Sequence, residues 1–305
     1  MKILVTGVAG FIGSNLAEYL ISKNFQVIGV DNLSYGVAEQ IPKGVKFHNV
    51  DIRDKEVFNL FKNVDYVFHL AAKNSIIDCE NDPDETHDIN VNGTRNIFEA
   101  STLHQVKKVI YAESSAVYEG SKNLPSTESD ASPQSVYAKS KMETNLIAKE
   151  YLKKSNLITT GLRYFNVYGP RQDYRRTIPP VFSAFIIKLL KGERPTIFGD
   201  GSKRRDFVYV DDVNDFHLMC IDNEKTDNQI FNIGSGKNYS INEIYKNISH
   251  ILDIKVEPIF AENLEFEAQQ NLANIDQANK IGWHPKTTLS EGLKKSIDYI
   301  RINVI

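Results

Sequence analysis

Tyr137 and Lys141 stand in a Tyr-x-x-x-Lys spacing, downstream of an opening Thr6-Gly7-x-x-Gly10-x-x-Gly13. On a helix, two residues four apart project from one face, one turn apart. An ammonium beside a phenol favours the phenolate, so the spacing predicts a tyrosine whose pKa is lowered towards neutrality. Such a phenolate is a general base for a hydroxyl proton, provided a hydride acceptor is held nearby. Pairs of this spacing also arise by chance on solvated helix faces, so the meaning of this one depends on its surroundings.

The elements that must position the pair begin at the N-terminus. Lys2–Thr6 is an apolar, β-branched run bounded by glycine and reads as a buried parallel strand. After Gly13, Ser14 is expected to cap a helix whose apolar positions Leu16, Ala17, Leu20 and Ile21 recur at helical spacing. Strand, glycine turn and helix form the context of a dinucleotide fingerprint, in which N–H groups at the helix start receive a pyrophosphate. The next strand, Gln26–Val30, ends at Asp31, which either takes an adenosine ribose or caps a turn. A carboxylate there repels a 2′-phosphate, and Asn32 and Leu33 add no positive charge, so the expected cofactor is NAD rather than NADP.

Strands and helices alternate through the first half, the pattern of a doubly wound parallel sheet. Further strands are expected at Val45–His48, Tyr66–Leu70, Lys108–Ala112 and Leu157–Arg163, with helical segments at Lys55–Lys62, Ile89–Leu103 and Val136–Lys153. Beyond Gly169-Pro170 the expectations are a helix over Thr177–Lys191 and a strand over Arg194–Phe198. A strand at Val208–Val210, a helix over Asp211–Ile221 and a strand over Gln229–Ile233 follow. The tail should hold short helices and one strand near Lys255–Phe260. The fold class is therefore α/β, a Rossmann sheet with a smaller, interleaved C-terminal substrate domain. Residues 1–169, with segments returning near 207–235, are expected to bind the dinucleotide, and residues 170–305 mainly the substrate.

The 305 residues carry a formal net charge of −3, which gives no electrostatic argument for nucleic acid or an anionic membrane. Lys203-Arg204-Arg205 is too short a cluster to track a polyanion. Cys79 and Cys220, far apart, suggest reduced thiols, and no stretch approaches the length of a membrane span. A cytoplasmic enzyme is the expectation. The seven histidines and scattered carboxylates show no metal-ligand spacing, and His69 is expected to pack beneath the cofactor.

The chain resembles the extended short-chain dehydrogenases/reductases that act on nucleotide sugars, the NAD-dependent epimerase/dehydratase family, and within it the UDP-hexose 4-epimerases. The resemblance runs nearly end to end. It is carried by Thr6–Ser14 (TGVAGFIGS), Asp31–Gly36 (DNLSYG), Asp51–Asp54 (DIRD), Val67–Ala72 (VFHLAA) and Asn90–Asn96 (NVNGTRN). Ser114–Tyr118 (SSAVY), Arg163–Gln172 (RYFNVYGPRQ), Phe198–Val213 (FGDGSKRRDFVYVDDV), Phe231–Gly236 (FNIGSG) and Ile281–Pro285 (IGWHP) continue it.

The resemblance implies a pyrophosphate loop of Gly7, Gly10, Phe11, Ile12 and Gly13. Asp31 and Asn32 would take the ribose, Asp51 and Ile52 would border the adenine, and Leu70, Ala71, Ala72 and Lys73 would line the cofactor. Ser114, Tyr137 and Lys141 would be catalytic, with Ser114 and Ser115 against the sugar and Lys141 also on the nicotinamide ribose. Tyr164, Phe165 and Asn166 would reach the cofactor and substrate phosphates. Arg205 would pair with the diphosphate, for which a guanidinium fork is suited. Arg171, Thr196, Phe198 and Asn271 complete the implied substrate contacts, and a homodimer built from the 89–103 and 136–153 helices is implied as well.

In the family that the chain resembles, enzymes that dehydrate or decarboxylate place acidic residues in the two positions after the catalytic Ser/Thr, or at least in the second, where Ser115 and Ala116 stand here. Epimerisation needs less: Tyr137 takes the 4-hydroxyl proton, a 4-keto sugar turns over, and hydride returns to its other face. A 4-keto-sugar reductase, a UDP-uronic acid 4-epimerase and a non-catalytic dinucleotide-binding regulator remain alternatives. Two positions depart from the pattern. Glu119 replaces a usual glycine, which predicts a different loop path. Ala261–Asn274 lacks an arginine, with Leu264 in its place and Glu267 keeping an acid, which would hand its role to Arg171, Arg175 or Arg176. The same register puts Asn271 where a bulkier side chain restricts the pocket, so tolerance of a 2-acetamido group is expected.

Overall fold

The computed structural model describes residues 1–176, 178–263 and 268–305. In chain order the dinucleotide-type half contains β1 (Lys2–Thr6), α1 (Phe11–Ser22), β2 (Gln26–Asp31), β3 (Lys46–Asn49) and β4 (Tyr66–His69). It continues with the short helices α2 (Ile76–Asn81) and α3 (Pro83–His87), α4 (Gly93–Leu103), β5 (Lys108–Ser114), α5 (Val136–Ser155) and β6 (Thr159–Tyr164). The remainder holds β7 (Val167–Tyr168), α6 (Val181–Leu190), β8 (Thr196–Phe198), β9 (Arg204–Asp206), β10 (Val208–Tyr209), α7 (Val210–Cys220) and β11 (Gln229–Ile233). Last come β12 (Asn238–Ser240), α8 (Ile241–Leu252), β13 (Ile259–Ala261), α9 (Asp276–Lys280) and α10 (Leu289–Asn303).

Seven parallel strands form the central sheet in the order β11-β6-β5-β4-β1-β2-β3. Strand residues alternate between two apolar clusters, as the two-residue period of a strand requires. Ile3, Val5, Phe68 and Ile110 pack on one face with Leu16 and Leu20 of α1 and Phe216 of α7. Leu4, Val67, Val109 and Tyr111 pack on the other with Phe98 of α4 and Ile147 of α5. Helices therefore cover both faces, the doubly wound Rossmann arrangement. A third cluster joins α6, α8 and α10 through Phe182, Ile186, Ile248, Leu293 and Ile297. No described helix is long and apolar enough to cross a membrane.

The main differences from the sequence reading have local causes. Ser14 does not cap α1: the cap is Gly10, the helix begins at Phe11, and the Ser14 hydroxyl donates to the Phe11 carbonyl inside the first turn. The Ile89–Leu103 segment is a π-helical turn over Asp88–Asn92 followed by α4, because Asn90 turns its amide to Lys73 and Ser140. The Lys55–Lys62 segment is a 3₁₀ turn, and the Thr177–Lys191 helix is confined to Val181–Leu190 beyond Pro179-Pro180. The tail helices are longer than expected: Ser240 and Thr288 each form a reciprocal capping box, with Glu243 and Glu291, that starts α8 and α10. The short strands β7, β9 and β12 carried no readable alternation.

Candidate active site

The loop between β1 and α1 shows why glycine is needed there. Gly7 adopts φ +71, and an added Cβ would lie 2.8 Å from the Ala71 nitrogen after β4. At Gly13 a Cβ would lie 2.1 Å from the Gly7 carbonyl oxygen. The backbone thus folds onto itself more closely than any side chain permits. Among the described residues no side chain caps the start of α1, so its first N–H groups are open to the cavity. A helix start of this kind is an anion site and fits a pyrophosphate.

Asp31 follows β2. Its carboxylate accepts from Ala9 N at 3.0 Å and Leu33 N at 2.8 Å, so it braces the glycine loop while lining the cavity. Burial raises its pKa and those two backbone bonds oppose the rise. Asn32 donates to Asp51 at 2.7 Å, and the Arg53 guanidinium holds the Asp51 carboxyl down at about 2. Asp51 therefore stays ionised where it lines the cavity, beside Asn32 and Ile52.

Three side chains meet at the other end. Strand β5 delivers Ser114, and α5 delivers Tyr137 and Lys141, both almost fully buried. Helix α5 is well specified: Ser135 accepts from Ala138 N, Asn156 closes the helix in the left-handed conformation, and Lys153 and Lys154 complement its C-terminal dipole. The Lys141 ammonium donates to the Ala112 carbonyl at 3.2 Å. Burial holds Lys141 down to about 8, opposed by the negative charge of Glu113.

The expected lowering of the Tyr137 pKa is not what the protein alone provides. Burial pushes the phenol up to about 12, and a hydrogen bond with Ser114 and the charge of Arg176 only partly offset it. Desolvation of a buried phenolate outweighs these favourable contacts. By itself the site holds a neutral phenol beside an ammonium.

One cavity of about 1030 Å³ contains both ends. Gly7, Gly10, Phe11, Ile12 and Gly13 line it, with Asp31, Asn32, Asp51 and Ile52 and the run Leu70, Ala71, Ala72 and Lys73. Ser114, Ser115, Tyr137, Lys141, Tyr164, Phe165 and Asn166 form its middle, and Thr196, Phe198, Arg205 and Asn271 its far wall. Some of these groups are already engaged. The Lys73 ammonium pairs with Glu85 at 2.6 Å. The Tyr164 hydroxyl meets His217 Nε2 at 2.6 Å, which leaves its ring and backbone to the cavity. Asn271 Oδ1 accepts from Asp206 N at 2.8 Å and Asn166 Nδ2 at 3.2 Å.

Arg171 is engaged elsewhere: its guanidinium makes two bonds of 2.9 Å to Glu18 on α1, and it is not part of the cavity lining. Arg175 is likewise not part of the lining, whereas Arg176 is. Leu264 and Glu267 lie outside the described residues. The sequence reading missed Lys203 and Asn74, which also line the cavity. Lys203 sits two residues before Arg205, and the alternation of an edge strand would have placed both on one face.

A family model described as the NAD dependent epimerase/dehydratase family matches residues 3–234. The chain belongs to this family. A UDP-glucose 4-epimerase of Mycolicibacterium smegmatis is 33% identical over 311 residues, covering 99% of both chains. A crystal structure of UDP-glucose 4-epimerase from Thermotoga maritima, with UDP-glucose, superposes with a TM-score of 0.96 at 36% identity over the whole of both chains. A UDP-N-acetylglucosamine 4-epimerase from Methanobrevibacter ruminantium, in complex with UDP-N-acetylmuramic acid, gives 0.95 at 31% identity over 99% of each. The epimerase/dehydratase assignment agrees with the cavity, which unites a dinucleotide loop with a Ser-Tyr-Lys trio.

Proposed function

We propose that the protein is an NAD-dependent 4-epimerase of UDP-hexoses, acting on the UDP-glucose/galactose pair or on UDP-N-acetylhexosamines. The observation that carries this reading is the single cavity holding the glycine loop, Ser114, Tyr137 and Lys141, and a far wall with Arg205 and Asn271. The loop and the open start of α1 would hold the pyrophosphate of NAD, Asp31 and Asn32 its adenosine ribose, and Lys141 the nicotinamide ribose. When bound, oxidised NAD supplies a reversible hydride acceptor and one fixed positive charge.

Positive charge added beside Tyr137 lowers its pKa from about 12, in the same direction as Arg176 already acts. Tyr137 would then take the proton of the sugar 4-hydroxyl and later return it, with Ser114 orienting that hydroxyl. Ser115 and Ala116 supply no carboxyl group at the two positions after Ser114, and both Glu119 oxygens accept from Ser135, which favours epimerisation over elimination or decarboxylation. Arg205 and Asn166 would grip the diphosphate end and leave the sugar free to turn over.

The division into a dinucleotide unit (1–169 with 207–235) and a mainly substrate-binding unit (170–305) belongs to this proposal. So does a homodimer through α4 and α5, where Leu103 and Leu146 are exposed. Light scattering in solution tests the dimer. The function is tested by incubating the protein with a panel of UDP-sugars, no cofactor added, and reading products by NMR. The 4-epimer of at least one sugar is expected. Turnover only with stoichiometric NADH would instead identify a reductase.

A further inference from the structure

The strand that delivers Ser114 and the helix that delivers Tyr137 and Lys141 are joined by buried polar bonds. Glu113, the residue before Ser114, has no exposed side-chain surface. Its Oε1 accepts from Asn145 Nδ2 at 3.0 Å, and Asn145 stands one turn beyond Lys141 on α5. Lys141 itself donates to the carbonyl of Ala112, the residue before Glu113. Two successive positions of β5 are thus bonded to two successive turns of α5, directly behind the reacting groups.

The other carboxylate oxygen, Oε2, accepts from Arg163 Nε of β6 at 2.6 Å. Arg163 is 2% exposed and also donates to the Tyr118 hydroxyl at 2.9 Å and the Glu128 carbonyl at 2.7 Å. A buried ion pair of this kind is a poor source of stability, since desolvation offsets its attraction. Its place between the Ser114 strand and α5, next to the Ala112 carbonyl that holds Lys141, is better explained by how it holds these groups in position.

We propose that Glu113 is a positioning residue for the Tyr137–Lys141 pair: it fixes α5 against the Ser114 strand and keeps a negative charge facing the Lys141 ammonium. The proposal rests on the reading of Ser114, Tyr137 and Lys141 as the reacting trio. The charged and titratable groups around Lys141 are Glu113 from β5, Cys79 from α2, His69 from β4 and Tyr137 on its own helix. Arg163 of β6 is paired with Glu113. Of these, Glu113 supplies the negative charge that favours the protonated lysine, since burial raises the Cys79 thiol and keeps it neutral.

The test uses the full chain and two variants. Glu113→Gln keeps an acceptor for Asn145 and removes the charge. Glu113→Gln/Arg163→Met also removes the guanidinium that would otherwise be buried without its partner, and covers the case in which the single variant does not fold. The Lys141 side-chain ¹³C signal is titrated in the protein without substrate, and kcat, KM and the pH profile are measured alongside. Lys141 is expected to lose its proton about one pH unit lower in the variants. The alkaline limb of kcat should move down with it, and kcat should fall about tenfold with the UDP-sugar KM nearly unchanged. An unchanged Lys141 titration together with an unchanged kcat would overturn the proposal. Absence of turnover in the wild-type protein would sink the epimerase reading instead, while the titration would still decide the role of Glu113.

Discussion

The Glu119 carboxylate closes over the start of α5: Oε2 accepts the Ser135 N–H at 2.8 Å and Oε1 the Ser135 hydroxyl at 2.9 Å. The Gln134 N–H also reaches Oε2 at 3.3 Å, and Glu80 of α2 accepts from Val136 N at 2.7 Å. Two carboxylates therefore satisfy the open N–H groups of the helix that carries Tyr137, where its dipole favours negative charge. Glu119 has φ −51, a conformation open to any residue, so its backbone does not require glycine there. Glu119→Gly removes three bonds and is expected to lower stability by about 1–2 kcal/mol. It should also reduce kcat by loosening Tyr137, whereas Glu119→Gln should do less of both. Chemical denaturation and steady-state kinetics check the pair.

Gly13→Ala places a methyl group against the Gly7 carbonyl, a contact that backbone cannot relieve without moving the loop off Ala71. The purified variant should contain little or no NAD, and its melting temperature should fall. Chromatography of nucleotide released on denaturation measures the first effect. Wild-type levels of bound NAD in this variant would mean that the loop does not hold the pyrophosphate.

Asn271 is pinned between Asp206 and Asn166 at the far wall, and its short side chain leaves room beside it. Asn271→Tyr should reduce turnover of UDP-N-acetylhexosamines by more than about tenfold relative to UDP-glucose, because steric exclusion acts on the larger sugar alone. The ratio of kcat/KM for the two substrates is the readout, since general weakening lowers both alike. A wild-type protein that rejects the acetamido sugar would remove this idea.

Acid should destabilise the fold well before its carboxylates are all protonated. His69 and His217 are buried and neutral, each held down to about 3 by desolvation. His69 lies between the Thr6 and Thr94 hydroxyls, 2.8 and 2.9 Å away. Unfolding restores the ordinary pKa, so between about pH 6.5 and 3 the unfolded chain binds the extra protons, and each ring removes up to about 1.4 kcal/mol per pH unit. Asp31 and Asp206, raised by burial, bind protons more readily when folded and act in the opposite sense near the lower end of this window. Urea melts at pH 7, 6 and 5 should show stability falling with pH, and His217→Gln should flatten the slope.

Much of the fold was legible because strand periodicity and glycine spacing are local. The Lys2–Thr6 run, the turn from Gly7 to Gly13 and the Val136–Lys153 helix needed no knowledge of distant residues. The site was legible where motif residues end strands, as Ser114 ends β5 and Asp31 ends β2. What sequence did not disclose depends on contacts across the chain. The Tyr137 pKa follows from burial that spacing cannot report. Arg171 looked available until α1 brought Glu18 to it, and Glu113 looked like one more strand residue until β6 supplied Arg163. The short strands β9 and β12 pair with each other, and β9 also bridges Gln270 through Arg204, so their pairing is set by how the second half folds over the cavity.

The most direct measurement of the central claim is turnover by Tyr137→Phe, loaded with NAD as the wild type is. NMR of a UDP-sugar incubation should show kcat reduced by about 10²- to 10⁴-fold, with nucleotide-sugar binding retained. Equal rates of 4-epimer formation by the variant and the wild type would contradict the assignment of Tyr137 as the proton acceptor.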